Sequence, residues 1–360
     1  MAVGLPAKTT YANGDVFSAS DINDTNGTIN LIGQTNNFYA GKNKIINGDM
    51  RVSQRGTSFS NPANFAYLLD RYAIYYDGTG ATRTISQQTF TPGTAPVAGY
   101  EGANFFRYAQ TVAGTSNTVN LIYQRIEDVR TLAGQSAVLS VWLKADSART
   151  VTATARQYFG SGGSGDVNTG FTGSASVTTS WQRFSFTISM PSISGKTIGT
   201  SSALEIQLGL PSGTTPTIDI WGLQLEAGST ATAFQTATGT IQGELAACQR
   251  YYYRYLGEST GTPFVANVWW INANNAYGTV PFPVSMRTYP SAMDTSGTAA
   301  NYGVYSGATA ITCSAVPILD TPNRNNAFVQ FVVGSGGTAG FGGGARILSS
   351  SAYLGFTAEL

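Results

Sequence analysis

The chain has 360 residues, enough for two or three modules with a substantial core, and its net charge of +1 gives no electrostatic case for nucleic acid or an anionic membrane surface. Charged residues make up only 11%, while 42 glycines and 12% aromatics point to a turn-rich β protein whose surface presents hydroxyls and amides. There is no histidine, which removes Ser-His-Asp and Cys-His catalysis and His-ligated metals but not chemistry by paired carboxylates. No apolar run approaches the roughly 18 residues that span a bilayer, and the N-terminus lacks the basic-then-apolar pattern of a signal peptide. Synthesis in the cytoplasm without membrane insertion is expected. Cys248 and Cys313 lie far apart in sequence, a pattern that favours two buried thiols over a disulfide.

Residues 1–17 read as extended, with a turn at Asn13-Gly14-Asp15. A short helix is predicted from Ser18 or Ser20, with Asp21 and Asp24 in its first turn and Ile22, Ile29 and Ile32 on one face. A polar Gly/Asn linker follows over 33–43. The segment 1–43 reads either as a frayed tail or as an attachment segment that orders on docking.

Residues 44–235 read as a β-sandwich. Its predicted last strand is Ile218–Ser229, whose strict alternation places Asp219, Trp221, Leu223 and Leu225 on one face; the apolar run Lys44–Gly56 is expected to be the first strand. Between them Leu69–Tyr76, Val119–Ile126, Ala137–Lys144, Val151–Tyr158, Trp181–Ile188 and Leu204–Leu210 alternate between Gly, Pro, Ser or Asn clusters. In the last of these Leu204, Ile206, Leu208 and Leu210 face in while Glu205 and Gln207 face out. Ser161–Gly165 reads as a loop.

Residues 236–256 carry a helical pattern, with Ile241, Leu245, Cys248, Tyr252 and Tyr255 at steps of four, three, four and three. The helix is expected to end near Arg250, with the tyrosines opening the next domain; a packed linker and a short threefold stem remain alternatives. Residues 257–360 read as a second, smaller β domain with strands at Phe264–Ile271, Gly278–Val284, Gly303–Tyr305, Ala327–Val333 and Ala352–Phe356. The runs Val333–Gly337 and Gly340–Gly344 read as loops, and neither sits between strand and helix as a phosphate loop does.

Seven segments occur in order between Asn47 and Gly228: Asn47-Gly48-Asp49-Met50-Arg51-Val52, Gln54-Arg55-Gly56-Thr57-Ser58-Phe59, Asp70-Arg71-Tyr72, Gln124-Arg125-Ile126-Glu127, Leu139–Ala145, Trp181-Gln182-Arg183-Phe184 and Leu223–Gly228. Together they resemble the carbohydrate-binding-module-type jelly-roll of bacteriophage tail fibre and tail spike proteins. Thr10–Asn23 is similar to the start of phage tail fibres, and Pro281–Pro290 with Ala352–Leu360 to their distal domain. The resemblance implies an all-β chain: a jelly-roll β-sandwich followed by a smaller β domain, with a short N-terminal helical anchor and a short helical linker. It further implies a structural protein of the virion tail, a trimeric fibre attached to other tail proteins through residues 1–43 and adhering to host surface polysaccharide. A capsid-attached head fibre or decoration protein, an architectural adaptor without ligand, and a depolymerase are the alternatives. In some related jelly-rolls a last-strand aspartate holds a structural Ca²⁺; Asp219 is the matching position.

A sugar-binding surface needs aromatic faces for the apolar side of a pyranose ring and amides, carboxylates or Arg for its hydroxyls. Trp142, Arg156, Tyr158, Glu205 and Gln207 each lie opposite a predicted core face and are the candidate platform; for Trp142, packing under a loop or against a neighbouring chain is the alternative. Trp269 and Trp270 point to opposite faces of one strand, so one is expected in the core and the other at an interface or ligand. Glycoside hydrolysis wants two carboxylates roughly 5–10 Å apart, and no local pattern pairs Glu127, Asp128, Glu205, Asp219 or Glu226. No enzymatic activity is expected.

Overall fold

The computed structural model describes residues 40–97, 100–257, 263–307 and 309–360. The helix predicted from Ser18 or Ser20, and all of the attachment segment before residue 40, lie outside them. The described chain is all-β apart from one α-helix and a single 3-10 turn.

The first module is a jelly-roll β-sandwich of two antiparallel layers. One layer runs in the order β1 (Ser58–Ser60), β3 (Thr82–Thr89), β4 (Asn104–Val112), β11 (Thr217–Ala227), β6 (Ser136–Ala145) and β9 (Gln182–Ser189). The other runs β2 (Ala73–Tyr76), β5 (Asn120–Glu127), β10 (Ala203–Gly209), β7 (Arg149–Tyr158) and β8 (Val167–Val177). Alternation decides which residues meet between the layers. Ile74, Ile122, Leu204, Ile206 and Leu208 from one join Leu139, Val141, Leu143, Ile218, Ile220 and Leu225 from the other in one core, none more than 3% exposed. Each such side chain contributes about 1.5–3 kcal/mol of transfer free energy.

Two sequence expectations fail here. The run 44–56 is not a strand. Asn47 and Met50 take positive φ, and the Asn47 side chain closes a local knot, accepting from Val52 N and donating to the carbonyls of Val52 and Asp70. The knot is pinned to β11: Lys44 N donates to Leu225 O and Leu223 N to Gly48 O. The second failure is the alternation of β11 itself. Its register slips between Trp221 and Gln224, where Gly222 sits at φ +65°. This bulge re-aims the strand. Leu223 and Leu225 therefore join Ile218 and Ile220 in the core, while Asp219, Trp221, Gln224 and Glu226 share the outer face.

The helix α1 (Ile241–Gln249) starts at Thr240, whose side chain accepts from Gly243 N, and ends at Arg250, with strand resuming at Tyr252. Its Glu244 and Cys248 are buried, and Glu244 accepts from Asn47 N and Thr238 N, so one face of the helix packs on the sandwich. Ile241 and Leu245 stay 38% exposed. The second module has a three-stranded sheet, β12 (Tyr252–Leu256), β21 (Tyr353–Thr357) and β15 (Ala292–Thr295). Its seven-stranded sheet runs β17 (Thr309–Thr312), β16 (Tyr302–Ser306), β20 (Gly342–Ile347), β13 (Phe264–Trp270), β14 (Asn275–Pro281), β19 (Asn326–Val332) and β18 (Ile318–Pro322). Gly342–Gly344, read from sequence as loop, are strand: a Cβ at 343 would lie 2.4 Å from Tyr305 O and one at 344 would lie 2.2 Å from the Phe264 ring. Close approach, not turn formation, calls for those glycines. Both cysteines are buried free thiols.

An arginine-rich seam joins the modules. Arg71, 1% exposed, pairs with Glu359 and lies 3.3 Å from the Tyr251 ring centre. Arg55 reaches the same carboxylate at 3.2 Å, and Arg250 clasps Glu127 with two 3.0 Å bonds. Gln54 Nε2 donates to Tyr252 O at 2.7 Å, and Arg254 donates to Gln54 O at 2.9 Å.

Candidate functional site

The outer face of the five-stranded layer follows from its register. Glu205 on β10 sits between Arg125 on β5 and Arg156 on β7, and Gln207 sits between Tyr123 and Thr154. On β2, Tyr75 is opposite Leu121. All of these side chains except Thr154 line a cleft of about 420 Å³ whose remaining wall is Phe65. The Phe65 and Tyr75 rings lie 5.2 Å apart. Phe65 is 58% exposed at φ +66°, a strained conformation for a bulky residue, and the loop nevertheless holds its ring against the cleft.

The polar groups are tied to one another. Arg125 Nε donates to Glu205 Oε2 at 2.7 Å, and Arg156 NH1 lies 3.6 Å from Glu205 Oε1. Arg156 also donates to Asp166 at 3.0 Å, and Gln207 donates to Glu205. The guanidinium of Arg125 lies 4.9 Å from the Tyr158 ring centre, and its NH1 donates to the backbone oxygen of Leu360 at 3.1 Å. Burial works against the Arg125 charge, but hydrogen bonding to Glu205 and the charge of Glu205 outweigh it and raise its pKa. Burial raises the Tyr123 phenol, keeping it a neutral donor. Two guanidinium groups against Glu205 and Asp166 leave the cleft near neutrality, with fixed donors and aromatic faces. Such a lining suits a polar, uncharged ligand.

Of the five platform residues expected from sequence, Arg156, Tyr158, Glu205 and Gln207 share this face. Trp142 does not. It lies on β6 in the opposite layer, 7% exposed, in an aromatic cluster with Trp221, Phe90, Phe105 and Phe234. Its ring is 5.3 Å from Trp221, and the Arg183 guanidinium covers it at 4.4 Å. The loop carrying Phe234 closes over this face, so Trp142 belongs to packing and leaves the platform. Tyr123 and Arg125 enter the cleft from outside the sequence-based platform. Their alternation against Ile122 and Ile126 marked them as outward, but only the pairing of β5 with β10 brings them to Glu205. Phe65 sits in a loop with no sequence signal. Of the tryptophan pair, Trp270 is core at 1% exposure and Trp269 is outside at 46%.

Asp219 does not fit a Ca²⁺ site. Arg107 takes both of its oxygens, Nε to Oδ1 at 2.7 Å and NH2 to Oδ2 at 2.8 Å. No cluster of three His, Cys, Asp or Glu that could hold a metal occurs among the described residues. A hard cation wants six or more oxygens, and a carboxylate already committed to a guanidinium does not supply them.

Fold and cleft together define a β-sandwich module with a polar and aromatic groove on the outer face of one layer. No protein-family model matches the chain, and no curated protein does. Solved structures similar to part of it include a family 11 carbohydrate-binding module from Clostridium thermocellum in complex with a β-1,3-1,4-mixed-linked tetrasaccharide. That match has 12% identity over 49% of this chain and 98% of that one, with a TM-score of 0.30. A xylan-binding domain from Paenibacillus barcinonensis matches at 12% identity over 51% and 97%, TM-score 0.28. The enzymatically active domain of tailspike protein 4 of bacteriophage CBA120 matches at 14% identity over 52% of this chain and 22% of that one, TM-score 0.33. At such identities and TM-scores the likenesses carry no weight for what this chain binds.

Proposed function

We propose that the chain is a non-enzymatic structural adhesin of a tailed-phage virion, a trimeric tail fibre that holds host surface glycan in the Arg125–Arg156–Glu205–Gln207 cleft. The observation that supports binding is the cleft itself. It sets aromatic faces at Phe65, Tyr75 and Tyr123 beside fixed polar groups from three neighbouring strands, the pairing a pyranose ring calls for. A single carboxylate, Glu205, lines it among the described residues, and that one is bound by Arg125, which favours retention over hydrolysis. Assignment to the virion rests on the seven sequence segments, and attachment through residues 1–43 on the likeness of Thr10–Asn23 to the start of phage tail fibres. Weak individual sites suffice when many copies act together.

The test is binding of the full chain to an array of bacterial surface polysaccharides and neutral oligosaccharides. Binding is expected, and Arg156→Ala and Gln207→Ala are expected to weaken it about tenfold or more. Binding that both variants leave intact removes the glycan from this cleft, and none at millimolar sugar sinks the glycan assignment. Native mass spectrometry checks the trimer, and antibody labelling of intact particles checks the tail.

A further inference from the structure

The second module carries a cleft of its own, of about 570 Å³, on the outer face of its seven-stranded sheet. Its wall is Trp269, 46% exposed, standing opposite Gly342 on β20 and Tyr277 on β14. Gly342 brings no side chain beside Trp269, so the floor stays open there, while the Phe264 ring covers Gly344 beside Asn267. At the far end Phe264, 54% exposed, is held by the Arg346 guanidinium 3.5 Å from its ring centre, with Tyr305 4.3 Å from the same guanidinium. The Trp269 ring is itself positioned: Phe328 lies 5.2 Å away, and Tyr277 stacks on Phe328 at 5.4 Å and 25°. Between these aromatics sit the exposed amide of Asn267, Thr279 and Asn326. No residue lining the cleft carries a formal charge.

We infer that this cleft is a second, independent carbohydrate site, one that takes a neutral oligosaccharide by stacking a pyranose face on Trp269 and bonding its hydroxyls to Asn267 and Thr279. Concavity of this volume is the range of small-ligand pockets, about 300–1,000 Å³, whereas a flat apolar face would fit a second copy of the chain. The Asn267 side chain makes no hydrogen bond among the described residues, so its donor and acceptor are available. The lining differs from that of the first: Arg125, Arg156 and Glu205 line that cleft, and no charged side chain lines this one. The assignment does not depend on the cleft of the first module.

The experiment uses the full chain carrying Arg156→Ala and Gln207→Ala, which disable the first cleft, and adds Trp269→Ala or Asn267→Ala. The probes are neutral gluco-, galacto- and xylo-oligosaccharides, read by saturation-transfer NMR, with native mass and thermal melting measured on every variant. The expected result is residual binding in the double variant that falls about tenfold or more on Trp269→Ala or Asn267→Ala, with fold and mass unchanged. Absence of residual binding, indifference to Trp269→Ala, or a change of mass on that substitution overturns the inference; the last makes the face an interface between copies. If the double variant binds like the parent chain, the first cleft fails as a site, while Trp269→Ala still decides the second.

Discussion

Trp142 and Arg156 were equally eligible as sugar contacts from their places in alternating runs, yet they occupy different chemistry. Trp142 has Trp221 at 5.3 Å and Phe234 at 6.1 Å. Trp142→Ala is therefore expected to lower stability by about 3–5 kcal/mol, as deletion of a buried aromatic does, and to leave glycan binding unchanged. Thermal denaturation alongside the binding array checks both halves; a stable variant that has lost binding would restore Trp142 to the site. Glu205 lies at the other extreme. At 2% exposure it lies between Arg125 and Arg156 and holds both guanidinium groups in place on the sheet face.

Among the elements, β10 was legible because Leu204, Ile206 and Leu208 alternate with Glu205 and Gln207 without interruption, and β7 because small residues alternate with Arg156 and Tyr158. Strands β3 and β8 were not. In β3 only Ile85 is a conventional apolar residue; Arg83 is buried instead, its guanidinium 3.7 Å from the Tyr76 ring centre, a cross-element partner that no local pattern reveals. In β4 the neighbours Phe105 and Phe106 are both buried on opposite faces, because an aromatic cluster covers the sheet outside as the core does inside, and the period-two signal vanishes. The cleft was half legible for the same reason: alternation tells which side chains point out, whereas strand order tells which of them meet. The segment around Asn47-Gly48 failed as a strand because its polar atoms are spent on its own knot. A Cβ at Gly48 would lie 2.3 Å from Leu223 O. Gly48→Ala must shift backbone and is expected to cost about 1–3 kcal/mol, with residues 44–53 becoming cleavable under limited proteolysis; an unchanged melt and digest would show that the pin to β11 is dispensable.

At the scale of the molecule, several segments behind the phage-fibre resemblance serve the seam between modules. Arg55, Arg71 and Glu127 all face the second module there. Their pairing gives the seam a pH dependence. Burial pushes the Glu127 carboxyl up, but hydrogen bonds from Arg250 and Tyr251 and the arginine charges outweigh it, so its pKa falls below the ordinary 4.5. A carboxyl lowered in the folded state contributes stability that is present above 4.5 and is lost as pH falls through its folded value. Melting temperature is therefore expected to drop on acidification below that point, and Glu127→Gln to be less stable at neutral pH with a shallower acid slope. Parallel slopes for the two proteins would remove Glu127 from the account.

The backbone oxygen of Leu360 accepts from Tyr67 Oη at 2.7 Å and from Arg125 NH1 at 3.1 Å. Leu360, packed beside the second module, thus rests on the arginine that lines the groove of the first. Separation of the modules would take this acceptor from Arg125, so a disturbance at the seam would be felt at a guanidinium that lines the groove.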